Sequence, residues 1–117
     1  MELQFEDRDG ICIIRTSASE LGADSSEELR KQLLGKLEEC PWSALDLSKV
    51  GFMDSSALGT LVAGLKTVRG RGHFRLFGLQ PSIANLFRLT GMSRVFPTDE
   101  EETASVNAIR NEMQSAA

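Results

Sequence analysis

A chain of 117 residues, 41% of them hydrophobic, can enclose one core of ordinary size and is too short for two. Charged residues make up 26%, the formal charge is −4, and Lys and Arg are scattered without a basic block, so the electrostatic footprint of a nucleic-acid binder is missing. The opening "MELQFEDRDG" is acidic, unlike a signal peptide, and no stretch approaches the ~20 apolar residues that cross a bilayer. The expectation is a cytoplasmic chain forming a single domain over residues 1–117, with neither nucleic acid nor membrane as a partner.

Leu3 and Phe5 alternate with polar residues, "DRDG" reads as a turn, and "ICIIR" continues as an apolar, β-branched run. Together they predict a hairpin whose second strand is buried. "SASELGADSS" reads as a loop, with Asp24 or Ser25 available to cap a helix whose first turn holds Glu27 and Glu28. Leu29, Leu33 and Leu37, with Leu34 beside them, form that helix's apolar stripe. Pro41 stops it, and "CPWSALDLS" resumes as a short strand carrying Ala44, Leu45 and Leu47. Cys12 and Cys40 lie far apart, with no histidine at metal-ligand spacing, and read as two small buried hydrophobes rather than as a metal site.

Leu58, Leu61, Val62, Leu65 and Val68 recur at helical spacing and predict a second helix from about 56 to 69, broken by "RGRG". "HFRLFG" reads as a strand. "LQPSIANLFRLTG" reads as a third helix, with Pro81 near its first turn, Ile83, Leu86 and Phe87 on one face, and Gly91 at its end. Val95 and Phe96 are expected to form a short strand, and Thr98 or Asp99 to cap a last helix carrying Ala104, Ile109 and Met113 before a frayed "MQSAA". The order β-β-α-β-α-β-α-β-α predicts an α/β domain: a mixed, mostly parallel sheet of about five strands with an antiparallel N-terminal hairpin, packed by about four helices.

The leading candidate site is "GFMDSSALG", residues 51–59, at a strand-to-helix junction where open α/β sheets tend to meet ligands and partners. A helix cap needs only one oxygen-bearing side chain, Asp54 or Ser55, whereas Asp54, Ser55 and Ser56 stand in a row after the bulky pair Phe52 and Met53. That excess suggests a surface loop touched by another molecule. Neither serine fits a nucleophile elbow, which needs G-x-S-x-G and a histidine base, because His73 is the one histidine and opens a strand elsewhere. Phosphate-loop glycines followed by Lys are absent, and "GRG" at 70–72 is most simply a turn. No catalytic residue, cofactor or metal is assigned. What is left is a serine as substrate: a phosphate on Ser55 would add about −1.5 to −2 charge beside Asp54 and alter what can dock there without unfolding the domain.

The segment "LDLSKVGFMDSSALGTLVAGLKTVRGRGHFRLFGLQPSIANLFRLTGMSRVFP" resembles the STAS domains of bacterial anti-sigma factor antagonists. Its most specific parts are "DLSKVGFMDSSALG" and "PSIANLFRLTGM" at the expected distance. The likeness extends over nearly the whole chain and implies a non-catalytic, partner-switching protein. The unphosphorylated form would bind an anti-sigma factor that is a serine kinase with a GHKL-type ATPase fold, freeing the sigma factor. The kinase would phosphorylate Ser55, and a PP2C-type phosphatase would restore it. The resemblance also implies a docking surface made of Met53, Asp54, Ser55, Ser56, Ala57 and the loop holding Gly22 and Asp24. Many members carry an acid where this chain has Gly22, a place Asp24 could fill, and a glycine where it has Ala57. The rival reading is a STAS scaffold or small-ligand sensor that is never phosphorylated.

Overall fold

The computed structural model describes residues 3–115. Strands β1 (Leu3–Arg8) and β2 (Ile11–Thr16) form the N-terminal hairpin, and a two-residue strand β3 (Glu20–Leu21) precedes helix α1 (Ser26–Glu39). Then come β4 (Trp42–Asp46), a second two-residue strand β5 (Phe52–Met53), α2 (Ser55–Val68), β6 (His73–Phe77), α3 (Pro81–Thr90), β7 (Thr98–Asp99) and α4 (Glu102–Ser115). The main sheet has the order β1-β2-β4-β6-β7, antiparallel between β1 and β2 and parallel elsewhere. The α/β class, the hairpin at one edge and the four helices all match the sequence reading.

Local chemistry accounts for these elements. Asp9 and Gly10 both take positive φ, 56° and 89°, between Arg8 and Ile11, which face each other in the ladder. That is the two-residue turn whose twist suits a hairpin, and Asp-Gly is a pair that tolerates it. Gly91, at φ 79°, ends α3 in the left-handed conformation.

Side chains alternate across the sheet and divide the core in two. Cys12, Ile14, Leu45, Phe74 and Leu76 pack with Leu29, Leu33 and Leu37 of α1, Ala57 and Leu61 of α2, and Ile83 and Phe87 of α3. On the opposite face Ile11, Ile13, Ala44 and Phe77 pack against Val106 and Ile109 of α4. Charged groups fasten α4 at its start: Arg8 and Arg15 both pair with Glu102, and Arg15 also reaches Asp46 at 3.2 Å.

Several local expectations are corrected. The "SASELGADSS" stretch is not wholly loop: Glu20–Leu21 pairs in parallel with Phe52–Met53, and a single 3₁₀ turn spans Ala23–Ser25. Neither Asp24 nor Ser25 caps α1 with its side chain; the Ser25 hydroxyl donates instead to the Gly22 carbonyl at 3.3 Å. Val95 and Phe96 form no strand. Residues Met92–Arg94 make a 3₁₀ turn that delivers Phe96 into the core, tilted against Phe87 at 5.7 Å between ring centres.

The strand lies later, at Thr98–Asp99, so neither residue caps α4. Asp99 instead accepts two bonds from Arg75, at 2.7 and 3.1 Å, and one from the Ser105 hydroxyl at 2.5 Å. α4 continues to Ser115, so Met113 to Ser115 are helical rather than frayed; the final two residues of "MQSAA" lie outside the described residues. Cys12 is buried as expected, and burial pushes its thiol up to about 11, whereas Cys40 is half-buried with its sulfur 3.5 Å from the Gly10 carbonyl.

Candidate functional site

Asp54 organises the junction. Its Oδ1 accepts from the Ser56 amide at 3.0 Å, the Ala57 amide at 3.1 Å and the Ser56 hydroxyl at 2.6 Å, making it the N-cap of α2. Its other oxygen, Oδ2, accepts from the Ala23 amide across the gap to the loop before α1, at 2.8 Å. One carboxylate therefore closes a helix end and ties two loops together. The backbone reinforces the tie: the Asp54 amide donates to the Leu21 carbonyl at 3.1 Å, and the Gly51 amide donates to the Ser19 carbonyl at 2.8 Å. From the other side the Ser82 hydroxyl of α3 donates to the Gly51 carbonyl at 3.0 Å.

Gly22 permits this closure. A Cβ built there would stand 3.1 Å from Asp54 Oδ2, so a side chain would push the carboxylate away from Ala23. An acid at position 22 would add a second carboxylate against the first. Asp24, two residues on, is exposed and points its charge to the surface beside the same groove.

The five candidates within "MDSSA" separate by burial. Ser55 is exposed at the first position of α2, and its hydroxyl makes no hydrogen bond among the described residues. Ser56 is half-buried with its hydroxyl held on Asp54. Met53 and Ala57 are the corrections: Met53 is 3% exposed and Ala57 0%, so both belong to the core beneath the site and neither can offer a side chain to a partner. The alternation of β5 explains the first, because Phe52 and Met53 must face opposite ways. Phe52 is 55% exposed and was the better candidate of the pair. It lines a groove of about 300 Å³ with Glu20, Gly22, Ala23, Asp24, Ser25 and Asp54. Sequence reasoning missed Phe52, Glu20 and the Ala23 amide as parts of the site, since a two-residue strand is too short to show a period.

Hydrogen bonds, first from the Ser56 hydroxyl and then from the Ala57, Ala23 and Ser56 amides, hold the Asp54 carboxyl below its ordinary value of 3.8. The donors favour the charged form, so the tie to Ala23 is complete at neutral pH and is lost as pH falls below 3.8 through the lowered value. In an acid titration followed by amide NMR, the Ala23 resonance is expected to move with a midpoint below 3.8; a midpoint at or above 3.8 would show that the bond does not favour the carboxylate.

A family model described as "STAS domain" matches residues 2–105. The anti-sigma-B factor antagonist of Listeria monocytogenes is 32% identical over 97 residues, which are 81% of this chain and 83% of that one. An anti-sigma factor antagonist from Mycobacterium paratuberculosis superposes with a TM-score of 0.85 at 24% identity, covering 93% of each chain. The Bacillus cell fate determinant SpoIIAA in its phosphorylated form gives a TM-score of 0.64 at 20% identity, covering 92% of this chain and 99% of that one. The last two, below 25% identity, bear on the fold alone.

Proposed function

The chain belongs to the STAS domain family, among the anti-sigma factor antagonists, and on that premise we propose that it acts by partner switching controlled at Ser55. The unphosphorylated form binds an anti-sigma factor serine kinase of the GHKL-type ATPase fold and so frees the sigma factor. Phosphorylation of Ser55 ends that binding, and a PP2C-type phosphatase resets it. The protein itself is a non-catalytic cytoplasmic regulator that needs no cofactor. Among the described residues no helix is long and apolar enough to cross a membrane.

The observation that carries this reading is the contrast between the two adjacent serines. Ser55 offers an exposed hydroxyl without an internal hydrogen bond, on the first turn of a helix whose start is rigidly capped. Ser56 has its hydroxyl committed to Asp54 at 2.6 Å, so a kinase would have to break that bond to use it. The first-turn amides of Ser56 and Ala57 already serve Asp54, so they do not offer free donors to a phosphate on Ser55. That phosphate would instead add charge to a surface already carrying Glu20, Asp24 and Asp54, changing the docking face more than the fold.

The test is a pull-down from host lysate with wild-type, Ser55→Ala and Ser55→Asp baits, read by mass spectrometry with phosphosite mapping on the endogenous protein. A kinase-fold protein retained by the first two baits and lost by the third, with phosphate on Ser55, is the expected result. An identical catch from all three would overturn partner switching in favour of a scaffold or ligand sensor.

A further inference from the structure

β1 is the open edge of the main sheet: it pairs with β2, and among the described residues no strand lies on its other side. Alternation sorts its main-chain groups. Arg8 and Ile11 close the two-residue turn and exchange hydrogen bonds, so Glu6–Ile13 and Gln4–Arg15 do the same, while Leu3, Phe5 and Asp7 turn their N–H and C=O groups outward. The Leu3 amide is taken by Gln32 Oε1 at 2.8 Å. Those of Phe5 and Asp7 face an accessible edge, where Gln4, Phe5, Glu6 and Asp7 are all exposed, Phe5 by 43%. The strand has neither a proline nor a bulge to blunt it.

Helix α1 runs along this edge in the direction of β1. Gln32 meets Leu3, the Lys36 ammonium lies 5.0 Å from the centre of the Phe5 ring, and the Cys40 sulfur stands 3.5 Å from the Gly10 carbonyl. Between helix and strand is a groove of about 310 Å³ lined by Phe5, Gln32, Gly35, Lys36 and Glu39. Gly35 is exposed, and a Cβ built there would meet nothing within 4 Å. A glycine inside a helix weakens it relative to alanine, and no packing within the chain calls for one here. Lys31, Gly35 and Glu39 recur at i, i+4 and i+8 on one exposed face, with opposite charges at its two ends. Lys31 makes no ion pair among the described residues, and Glu39, its side chain 73% exposed, meets Lys36 at 3.6 Å.

We infer that this edge joins a second copy of the chain about a two-fold axis at Phe5, the two β1 strands pairing antiparallel into one continuous sheet. In that register the two Phe5 residues exchange their outward main-chain bonds, and each Asp7 amide meets the Leu3 carbonyl of the other copy. Gln4 faces Glu6, an amide against a carboxylate. Moving the axis to Glu6 would set the two Glu6 carboxylates against each other, and moving it to Gln4 would need the Leu3 amide that Gln32 holds. The two α1 helices then stand about two strand spacings apart, ~10 Å, a packing distance for helices, and Gly35 offers no side chain to hold them off. The axis makes them antiparallel with Gly35 at the crossing, so Lys31 of each copy faces Glu39 of the other, and the second Phe5 ring fills the groove beside Lys36. The interface shares no residue with the Ser55 site and gives an assembly with two such faces.

The test is sedimentation equilibrium of the full chain in a concentration series up to about 1 mM, with amide hydrogen exchange read by NMR on the same samples. The mass is expected to rise from 12.8 kDa toward twice that value, and exchange at the Phe5 and Asp7 amides to slow as concentration rises. Lys31→Glu and Glu39→Lys should each weaken self-association at least about 10-fold, and the double swap should restore it, because the charges trade places across the axis. Both positions are exposed, so the swaps leave the fold of the single copy intact. A chain that stays monomeric throughout, a double swap as weak as either single change, Phe5 exchange that ignores concentration, or oligomers that grow past the dimer would each overturn the inference. Ser55→Asp should self-associate as wild type does; loss of the dimer in that variant would place the contact on α2 and overturn it as well.

Discussion

Ser55→Asp is expected to weaken binding of the proposed partner kinase at least about 100-fold, since it adds a carboxylate to a face already carrying Glu20, Asp24 and Asp54, and a charge left unpaired within an interface costs several kcal/mol. The same change should leave thermal stability within a few degrees of wild type, because the Ser55 side chain is exposed and makes no internal hydrogen bond. Ser55→Ala should bind within a few-fold of wild type and resist phosphorylation altogether. Ser56→Ala distinguishes the two serines: it removes the 2.6 Å bond to Asp54 but keeps both backbone caps, so it should loosen the helix start slightly while leaving phosphate incorporation at Ser55 intact. Calorimetric titration with the purified kinase, paired with thermal melts, reads all three. A Ser55→Asp protein that binds as tightly as wild type would remove the basis for the switch.

Gly72→Ala is expected to be the most damaging single methyl group that can be added to the chain's turns. A Cβ at Gly72 would stand 2.3 Å from the Pro41 carbonyl oxygen and 2.6 Å from its carbon, both backbone atoms with nowhere to move. That carbonyl also receives the His73 amide at 2.9 Å, so the added methyl would part β4 from β6 at the point where their ladder starts. Overpacking of this kind costs about 1–3 kcal/mol or more, which for a domain of this size lowers the melting temperature by roughly 4–12 °C.

Gly70, two residues earlier, is the control. It has φ 75° but open space where a Cβ would go, so Gly70→Ala should cost only the strain of a left-handed residue, about 1–2 kcal/mol. A Gly72→Ala protein as stable as Gly70→Ala would mean that the β4–β6 junction can yield.

These two positions show where reading the residues alone stops. "RGRG" announced a turn, yet nothing in the letters distinguishes a glycine needed for its backbone angle from one needed because Pro41 lies against it. That distinction depends on a residue 31 positions away brought near by strand pairing. The same holds at the candidate site. Three oxygen-bearing side chains in a row marked residues 54–56, and Asp54 proved to be the cap, but its second bond, to the Ala23 amide, joins positions with no shared local pattern.

What the amino-acid order determined by itself is everything governed by short-range periodicity and turn chemistry. The leucines of α1, the apolar spacing of α2, Pro81 and Gly91 around α3 and the Asp9–Gly10 turn each specify their element within a few residues, and their alternation specifies a mostly parallel sheet. Tertiary structure alone decided which side chains near Ser55 reach the surface. Met53 goes to the core while Phe52 stays outside, because a two-residue strand against Glu20–Leu21 fixes which way each one faces, and Ala57 is buried on the inner face of α2. It also decided that Val95 forms no strand and stays at the surface, since the turn at Met92–Arg94 sends the following Phe96 into the core. The physical reason is common to both: a segment of two or three residues carries too few side chains to set its own orientation, so the elements already packed around it set it instead.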